Sequence, residues 1–308
     1  MTEIGDIDST KASQDRRWRS LLFVPAHLPK FVCKAHERGA DGIVLDLEDS
    51  VPYSSKSEAR HRLGESIAQS GQKASSVLVR VNRGLRALCA DLDVAIVSGV
   101  DALVLPKVES AEWIVEIAQE ILALEQERGL VAGAIRLVAQ IETPAALPRL
   151  PAIATAHPRL IAMSLGPEDF SSAVGGQPTA DLLLAPNLAV LFAARAAGLF
   201  PLGFVGSIGD FADIEKFREI ARHANTLGFA GAFAIHPAQV VVLNEAFAPL
   251  PDELEWARRV VRAEQEAKAK RLGAFTVDGK MIDLPVIRRA RALLSLSQSP
   301  GDPLRLNR

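Results

Sequence analysis

Eight short runs rich in valine, isoleucine and leucine recur along this chain, and longer helix-like stretches separate them. The runs are SLLFVP (20–25), GIVLDLED (42–49), SVLVRVN (76–82), ALVLPKV (102–108), RLVAQIET (136–143), LIAMSLGPED (160–169), LGFVGS (202–207) and GAFAIHP (231–237). Their apolar residues do not alternate strictly with polar ones, which is typical of parallel strands covered on both faces. The pattern predicts an α/β protein built on a parallel sheet.

The segments between the runs favour one arrangement of that sheet. SKSEARHRLGESIAQ (55–69) and SAEWIVEIAQEILALEQERG (110–129) have the periodicity of amphipathic helices. Eight strand–helix units fit a (β/α)8 TIM barrel, which typically needs about 250 residues. An open doubly wound sheet usually carries a glycine-rich turn after its first strand, and VPAHLPK has no glycine there. We therefore predict a barrel domain over residues 19–250.

Both ends of the chain depart from the strand–helix pattern. Residues 1–18 are polar and predict a disordered tail. Residues 251–308 predict a C-terminal helical extension, with a charged helix over 251–273, a turn at Asp278–Gly279 and a further amphipathic helix. This segment is too short to suggest a core of its own. We expect it to pack on the barrel or to reach a neighbouring subunit.

Composition excludes several classes of function. In 308 residues, 35 Lys and Arg oppose 37 Asp and Glu, a net charge of -2 that argues against recognition of nucleic acid or an anionic membrane by bulk charge. No apolar run reaches the roughly 18 residues of a membrane helix, and the N-terminus lacks an apolar signal core. Cys33 and Cys89 have no metal-binding spacing and predict packed thiols. These features predict a cytoplasmic protein.

Polar residues concentrate where the predicted strands end, which is where a barrel places its chemistry. Residues two apart on a strand share a face, so the polar pairs at these ends are expected to converge at one rim. Carboxylates at close range need a cation, and oxygen ligands suit Mg²⁺ or Mn²⁺. The residues concerned are Asp46, Glu48, Asp49, Arg80, Asn82, Lys107, Gln140, Glu142, Glu168, Asp169 and His236.

A simpler interpretation exists for each acid taken alone. Asp169 would merely cap a turn, and Glu48 and Asp49 would pair with Lys56 or Arg60. The metal interpretation is favoured because five successive strand ends each add a suitable group. A Schiff-base role for Lys107 is disfavoured, since the nearby acids would keep its amine protonated.

Together the motifs resemble a known family. RSLLFVPA, GIVLDLEDSV, LVRVN, LVLPKVES, QIETPAAL, SLGPEDF, GAFAIHPAQV and DGKMIDLPVIRRA occur in that order from residue 19 to about residue 294. They resemble the citrate lyase β-subunit-like branch of the HpcH/HpaI aldolase/citrate lyase superfamily, close to the malyl-CoA and citramalyl-CoA lyases. Each motif alone is modest, but the ordered set is specific.

The resemblance implies a role for individual residues. It implies that Glu142 and Asp169 bind Mg²⁺, with Mn²⁺ as an alternative, and that Arg80 contacts the substrate. Glu48 and Asp49 would contribute to substrate binding and would orient metal-bound water. Asp283 would act as the acid/base, entering from a neighbouring subunit. Coenzyme A, as part of the substrate, would contact Phe23, Lys30, Lys34, Ile235 and His236.

The implied activity is a Mg²⁺-dependent carbon–carbon lyase. It would cleave citramalyl-, malyl- or citryl-CoA into acetyl-CoA and a 2-oxo acid, in a homotrimer or hexamer. Three alternatives stay open at this point. They are a malyl-CoA thioesterase, a CoA-independent 2-oxo acid aldolase, and a citrate lyase β-subunit that needs an acyl carrier partner.

Overall fold

Each apolar run overlaps or adjoins one strand of a parallel sheet. The computed structural model describes residues 18–73, 76–209, 212–269 and 275–296. The strands begin with the runs, except that the seventh starts earlier than expected. The second ends at Asp46, the third ends at Arg80 and the fifth includes Gln140, whereas the other acids and Lys107 follow the strands. They are β1 (Ser20–Pro25), β2 (Gly42–Asp46), β3 (Ser76–Arg80), β4 (Ala102–Leu105), β5 (Arg136–Ile141), β6 (Leu160–Leu165), β7 (Phe200–Leu202) and β8 (Ala232–Ala234).

Helices occupy the segments between the strands. The longer of the two predicted helices, 110–129, begins where expected because the Ser110 hydroxyl accepts a hydrogen bond from the Trp113 N–H, and it buries Ile114, Ile117 and Ile121. The helices of the strand–helix region are α1 (Pro29–Val32), α2 (Lys56–Ser70), α3 (Leu85–Ala95), α4 (Ala111–Glu127), α5 (Leu150–Ala154), α6 (Pro167–Val174), α7 (Ala180–Ala196), α8 (Ile214–Leu227) and α9 (Pro237–Ala246).

The sheet closes on itself. Its order is β7-β6-β5-β4-β3-β2-β1-β8, and the pairs of neighbouring strands are parallel. A parallel bridge between Leu202 and Gly231 then brings the end of β7 beside the start of β8. The predicted (β/α)8 barrel is confirmed.

Strand parity divides the apolar residues into two sets. One set fills the inside of the barrel and includes Val44, Leu78, Val104 and Val138. The other lies between the strands and the surrounding helices. Because residues two apart share a face, the side chains that follow the inner set at the strand ends also point into the barrel. These are Asp46 after Val44, Arg80 after Leu78 and Gln140 after Val138.

The N-terminal boundary differs from the prediction. Residues 1–17 of the predicted tail lie outside the described residues. Trp18, which was also assigned to the tail, is instead buried at 5% exposure, and its indole N–H donates to the Ser76 hydroxyl at 3.0 Å.

The prediction of packed thiols was wrong in one respect. Cys33 and Cys89 are free thiols, but both are exposed.

The residues after Phe247 form a separate compact unit. It contains α10 (Pro251–Ala269), a hairpin of β9 (Phe275–Val277) and β10 (Lys280–Ile282), and α11 (Leu284–Leu296). Asp278 and Gly279 both have positive φ angles, which suits a tight hairpin turn. The segment was expected to lack a core, yet it has a small one made by Ala257, Val260, Val277, Ile282, Ile287 and Ala290.

No helix in the described ranges has both the length and the apolar character that crossing a bilayer requires.

Barrel closure depends on a glycine at the point where β8 joins β1. A Cβ atom on Gly231 would lie 1.7 Å from the backbone oxygen of Trp18, and backbone cannot move away as a flexible side chain does. We predict that Gly231→Ala lowers the free energy of unfolding by about 1–3 kcal/mol or more. The control is Gly64→Ala on α2, where a Cβ meets nothing within 4 Å. That change should raise stability by about 0.5–1 kcal/mol. Equal stabilities of the two variants in urea titrations would contradict the closure geometry.

Candidate active site

A cavity of about 280 Å³ opens where the strands end. Its apolar wall is made by Phe23, Phe204, Ile208, Phe233 and Ile235. Its polar lining includes Asp46, Asp49, Arg80, Gln140, Glu142, Glu168 and Asp169. The predicted convergence of polar strand-end residues at one rim is therefore observed.

Arg80 is held rigidly on the cavity wall. Asp46 and Arg80 are paired in register across β2 and β3, and they form a two-pronged ion pair with both N–O distances at 2.7 Å. The guanidinium carbon lies 4.5 Å from the ring centre of Phe23, which itself stacks on Phe233 at 4.9 Å. A second carboxylate oxygen, Glu48 Oε2, lies 3.3 Å from Arg80 Nη1. The pairing leaves little rotational freedom to the guanidinium.

These contacts set the charge state of the pair. Burial alone would raise the pKa of Asp46, but the hydrogen bonds and the charge of Arg80 outweigh it and hold that pKa below its ordinary value. Burial raises the pKa of Glu48 despite the charge of Arg80 and the hydrogen bond from Lys107. Asp46 is therefore the acid that balances Arg80, and Glu48 depends on a second cation.

Lys107 is that second cation. Its ammonium lies 3.0 Å from an oxygen of Glu48, 3.0 Å from an oxygen of Asp169 and 3.7 Å from Asp49. Burial opposes its charge, but the hydrogen bonds with Glu48 and Asp169 raise the pKa of Lys107 above its ordinary value. A protonated amine is not a nucleophile, which agrees with the argument against a Schiff-base enzyme.

Glu142 is the acid that lacks such a partner for its full charge. It is 3% exposed, and its Oε2 accepts a hydrogen bond from the backbone N–H of Lys107 at 2.9 Å. Burial, followed by the negative charges of Glu48 and Asp169, raises the pKa of Glu142 to about 8. A neighbouring glycine makes the position possible, because a Cβ on Gly166 would lie 2.5 Å from Glu142 Cγ.

Asp169 approaches the same cavity from the next strand–helix unit. It lies in the first turn of α6, which begins at Pro167 directly after Gly166. Its side chain is 40% exposed, so it retains access to solvent. The idea that Asp169 merely caps a turn is not needed, since its carboxylate binds Lys107.

Two polar atoms inside the barrel have no partner among the described residues, and one of them, on Gln140, belongs to the cavity lining. Gln140 Oε1 and Ser164 Oγ are both buried without a hydrogen bond within the described part of the chain. The two residues are paired in register across β5 and β6 and point into the barrel. Buried polar groups normally have partners, so these atoms mark a surface that accommodates a polar ligand or water.

The predicted partners of Glu48 and Asp49 were wrong. The Lys56 ammonium donates to the backbone oxygens of Leu47 and Glu48, at 2.8 and 2.9 Å. Arg60 instead pairs with Asp91, at 2.7 Å. Lys56 therefore holds the loop after β2, Arg60 links α2 to α3, and the acids of the loop pair with Arg80 and Lys107.

The residues predicted to contact coenzyme A divide into two groups. Phe23 and Ile235 line the cavity, while Lys30 and Lys34 are exposed in and after α1. His236 caps α9, with its Nδ1 accepting from the Ala238 N–H at 3.2 Å. Since β1 and β8 are neighbours, the segments after them lie on the same side of the barrel mouth.

Gln239 supports the cavity wall and was missed by the sequence analysis. Its side-chain oxygen accepts from the N–H groups of Ile235 and His236, at 2.9 and 3.1 Å. Its side-chain nitrogen donates to the backbone oxygen of Ile208 at 3.0 Å. The sequence did carry a signal for it. Gln239 follows His236 by three residues, which is the spacing of a capping box at the start of a helix.

Asp283 belongs to the C-terminal unit. Its carboxylate accepts a hydrogen bond from the Val286 N–H at 3.3 Å, at the start of α11. Its predicted role as an acid/base in a neighbouring subunit therefore stays a prediction.

Known proteins share the motifs and the fold of this chain. The family model described as HpcH/HpaI aldolase/citrate lyase matches residues 19–237. The chain belongs to this family. The match spans all eight strands of the barrel. It also includes the charged residues of the cavity described above, which are Asp46, Glu48, Arg80, Lys107, Glu142 and Asp169. The enzyme prediction is also confirmed, because the family and its characterised relatives are lyases.

Three relatives define the branch. Citrate lyase subunit beta of Escherichia coli (strain K12) is 35% identical over 300 residues, covering 95% of this chain and 97% of the relative. L-malyl-CoA/beta-methylmalyl-CoA lyase of Cereibacter sphaeroides (strain ATCC 17025 / ATH 2.4.3) is 32% identical, covering 90% and 93%. Protein CitE from Mycobacterium tuberculosis, in complex with magnesium, acetoacetate and coenzyme A, superposes with a TM-score of 0.72 at 30% identity, covering 91% and 98%.

The raised pKa of Glu142 predicts how the stability of the metal-free protein depends on pH. The folded state holds the proton more tightly than the unfolded chain, whose glutamate ionises near 4.5. The resulting stabilisation is present below that value and is lost as the pH rises through about 8. Between about pH 6 and about pH 9, the free energy of unfolding should fall by about 2–3 kcal/mol more in wild type than in Glu142→Gln. The measurement is urea unfolding with EDTA present. Parallel pH profiles would show that Glu142 is not a protonated, buried acid.

Proposed function

We propose that this chain is a divalent-metal-dependent carbon–carbon lyase that acts on a β-hydroxyacyl-CoA. One observation carries the proposal. Glu142 and Asp169, from neighbouring strand–helix units, line one cavity with a fixed arginine, Arg80. The magnesium and coenzyme A of the related CitE complex agree with the cofactor prediction.

The residues present fit a magnesium ion. No cluster of three or more histidine, cysteine, aspartate or glutamate side chains suited to a metal occurs among the described residues. Mg²⁺ does not need one, because it usually keeps several waters and takes one or two carboxylates plus oxygens of the substrate. The pKa of Glu142 is raised first by burial and then by the negative charges of Glu48 and Asp169, and a bound cation would favour its ionised form. We therefore assign Glu142 and Asp169 as the ligands of Mg²⁺, with Mn²⁺ as an alternative.

The cavity fits the acyl end of the substrate rather than a whole coenzyme A. Its volume of about 280 Å³ lies at the small end of ligand pockets. Phe23 and Ile235 would flank the pantetheine of coenzyme A. The exposed Lys30 and Lys34 would attract the phosphates of its nucleotide end. The backbone at Ile235 and His236, fixed by Gln239, would lie along the same groove.

The chemistry follows from these positions. The cleavage breaks the bond between the hydroxyl carbon and the thioester α-carbon. The hydroxyl passes its proton to water in the cavity and becomes the carbonyl of the 2-oxo acid, and the bonding electron pair forms an enolate of acetyl-CoA. When bound, the metal ion supplies Lewis-acid polarisation of the hydroxyl and carboxylate oxygens.

The chain's own residues do the rest. Arg80, oriented by Asp46 and Phe23, stabilises negative charge that develops on substrate oxygen. Glu48 and Asp49, beside Lys107, orient water at the cavity. Asp283 of a neighbouring subunit delivers the proton to the enolate carbon, or removes it in the condensing direction. That role requires a closed ring of subunits, for which we propose a homotrimer or a hexamer. We also propose that the protein acts in the cytoplasm.

Three other activities use the same site and are separated by their products. A malyl-CoA thioesterase would release free coenzyme A without a 2-oxo acid. A CoA-independent aldolase would accept small hydroxy-oxo acids. A subunit like citrate lyase subunit beta, a relative at 35% identity, would act only with an acyl carrier partner. The test is to incubate the purified chain with malyl-, citramalyl- and citryl-CoA and Mg²⁺ and to assay both products.

Two substitutions test the division of roles. Asp283→Asn should lower kcat about 10²- to 10⁴-fold, because it removes the acid/base, and should leave Mn²⁺ affinity unchanged. Glu142→Ala should abolish metal binding and turnover together. Asp278→Asn is the matched control, since Asp278 lies in the same unit and pairs with Arg259 on the surface. Full turnover of Glu142→Ala in EDTA would refute the metal site, and equal losses in Asp278→Asn and Asp283→Asn would refute the acid/base.

A further inference from the structure

Lys107 lies at a strained position between the acids of the cavity. It follows β4, and its φ angle of 51° falls in the left-handed region that side chains other than glycine rarely adopt. Such strain persists only where the surroundings enforce it. Here the backbone N–H of Lys107 donates to Glu142 Oε2 at 2.9 Å, so the strained backbone is one of the contacts that orients this glutamate.

The backbone of Lys107 binds Glu142, whereas its side chain binds two other acids. The ammonium binds Asp169 Oδ2 at 3.0 Å and Glu48 Oε1 at 3.0 Å. One residue thus contacts both proposed metal ligands, with its amide on Glu142 and its amine on Asp169. The side chain is 34% exposed, which leaves it room to move.

We propose that Lys107 is the counter-cation of the metal-free site, and that it releases Asp169 when a divalent ion binds. This inference rests on the proposed metal site and makes Lys107 a positioning residue. A divalent ion bound to Asp169 would lie close to the ammonium on the same carboxylate, and the two cations would repel each other. We therefore expect the ammonium to leave Asp169 when the ion binds.

The neighbouring acids show where the ammonium goes. Glu48 already binds it, and Asp49 Oδ2 lies 3.7 Å away. A small movement from Asp169 towards Asp49 keeps the positive charge paired throughout. Lysine suits this task, because its ammonium is a compact charge on a flexible stem, whereas arginine requires a fixed fork of donors.

The exchange has a cost that can be measured. In wild type the ion must displace an existing cation and then bind beside its positive charge. Lys107→Met removes the charge, keeps the side-chain length, and retains the backbone N–H that binds Glu142. Metal affinity should therefore increase in this variant, whereas loss of a merely structural contact would decrease it.

The experiment compares Mn²⁺ binding by electron paramagnetic resonance in wild type, Lys107→Met and Lys107→Gln. The dissociation constant should fall of the order of tenfold in both variants. Without metal, both variants should melt at a lower temperature than wild type, because Glu48 and Asp169 then lack their cation. Saturating Mg²⁺ should raise their melting temperature by more than it raises that of wild type. Lys216→Met, which removes an exposed lysine of α8 far along the chain from the cavity acids, is the matched control for charge and should bind Mn²⁺ as wild type does.

Each outcome bears on one of the two proposals. Unchanged or weaker Mn²⁺ binding in both Lys107 variants, with normal binding by wild type, would overturn the counter-cation role and leave the metal site intact. Absence of Mn²⁺ binding in wild type would overturn the metal site and the counter-cation role with it. Tighter binding in Lys216→Met as well would show that only the net charge of the protein matters, and would also overturn the proposal.

Discussion

The balance of charge at the barrel mouth constrains everything else in this site. Four carboxylates, those of Asp46, Glu48, Glu142 and Asp169, share two cations within one small region. Arg80 satisfies Asp46, and Lys107 divides its charge between Glu48 and Asp169. Glu142 remains, and burial beside two other acids raises its pKa to about 8. With all four acids ionised, two negative charges would be unbalanced, and one divalent ion would neutralise them.

The barrel produces this crowding through register and parity. Asp46 and Arg80 are paired across adjacent strands and both point inward, so their ion pair follows from the sheet itself. Glu142 and Asp169 lie just after neighbouring strands, and Gly166 between them leaves room for the glutamate side chain. Parallel strands bring all their carboxyl ends to one rim, where loops position the remaining groups. The barrel therefore tolerates the buried charges of Asp46 and Glu48 because each has a basic partner, whereas Glu142 has only the backbone N–H of Lys107.

Sequence reasoning reached the barrel and most of the cavity because both depend on periodicity. Apolar runs identify strands, and the i, i+2 rule places Asp46, Arg80 and Gln140 inside. Contacts between distant segments were not accessible in this way. The ammonium of Lys107 between Glu48 and Asp169 depends on a left-handed backbone that no pattern marks, and Gln239 acts through backbone groups. The early start of β7 and the burial of Trp18 likewise depend on tertiary packing.

The most direct test of the account is anomalous diffraction from crystals soaked in Mn²⁺. The account predicts one strong peak between the carboxylates of Glu142 and Asp169, with an oxygen of each at about 2.0–2.2 Å, and the Lys107 ammonium no longer bonded to Asp169. A peak elsewhere, or no peak while Lys107 still binds Asp169, would contradict the claim that these two acids hold the ion.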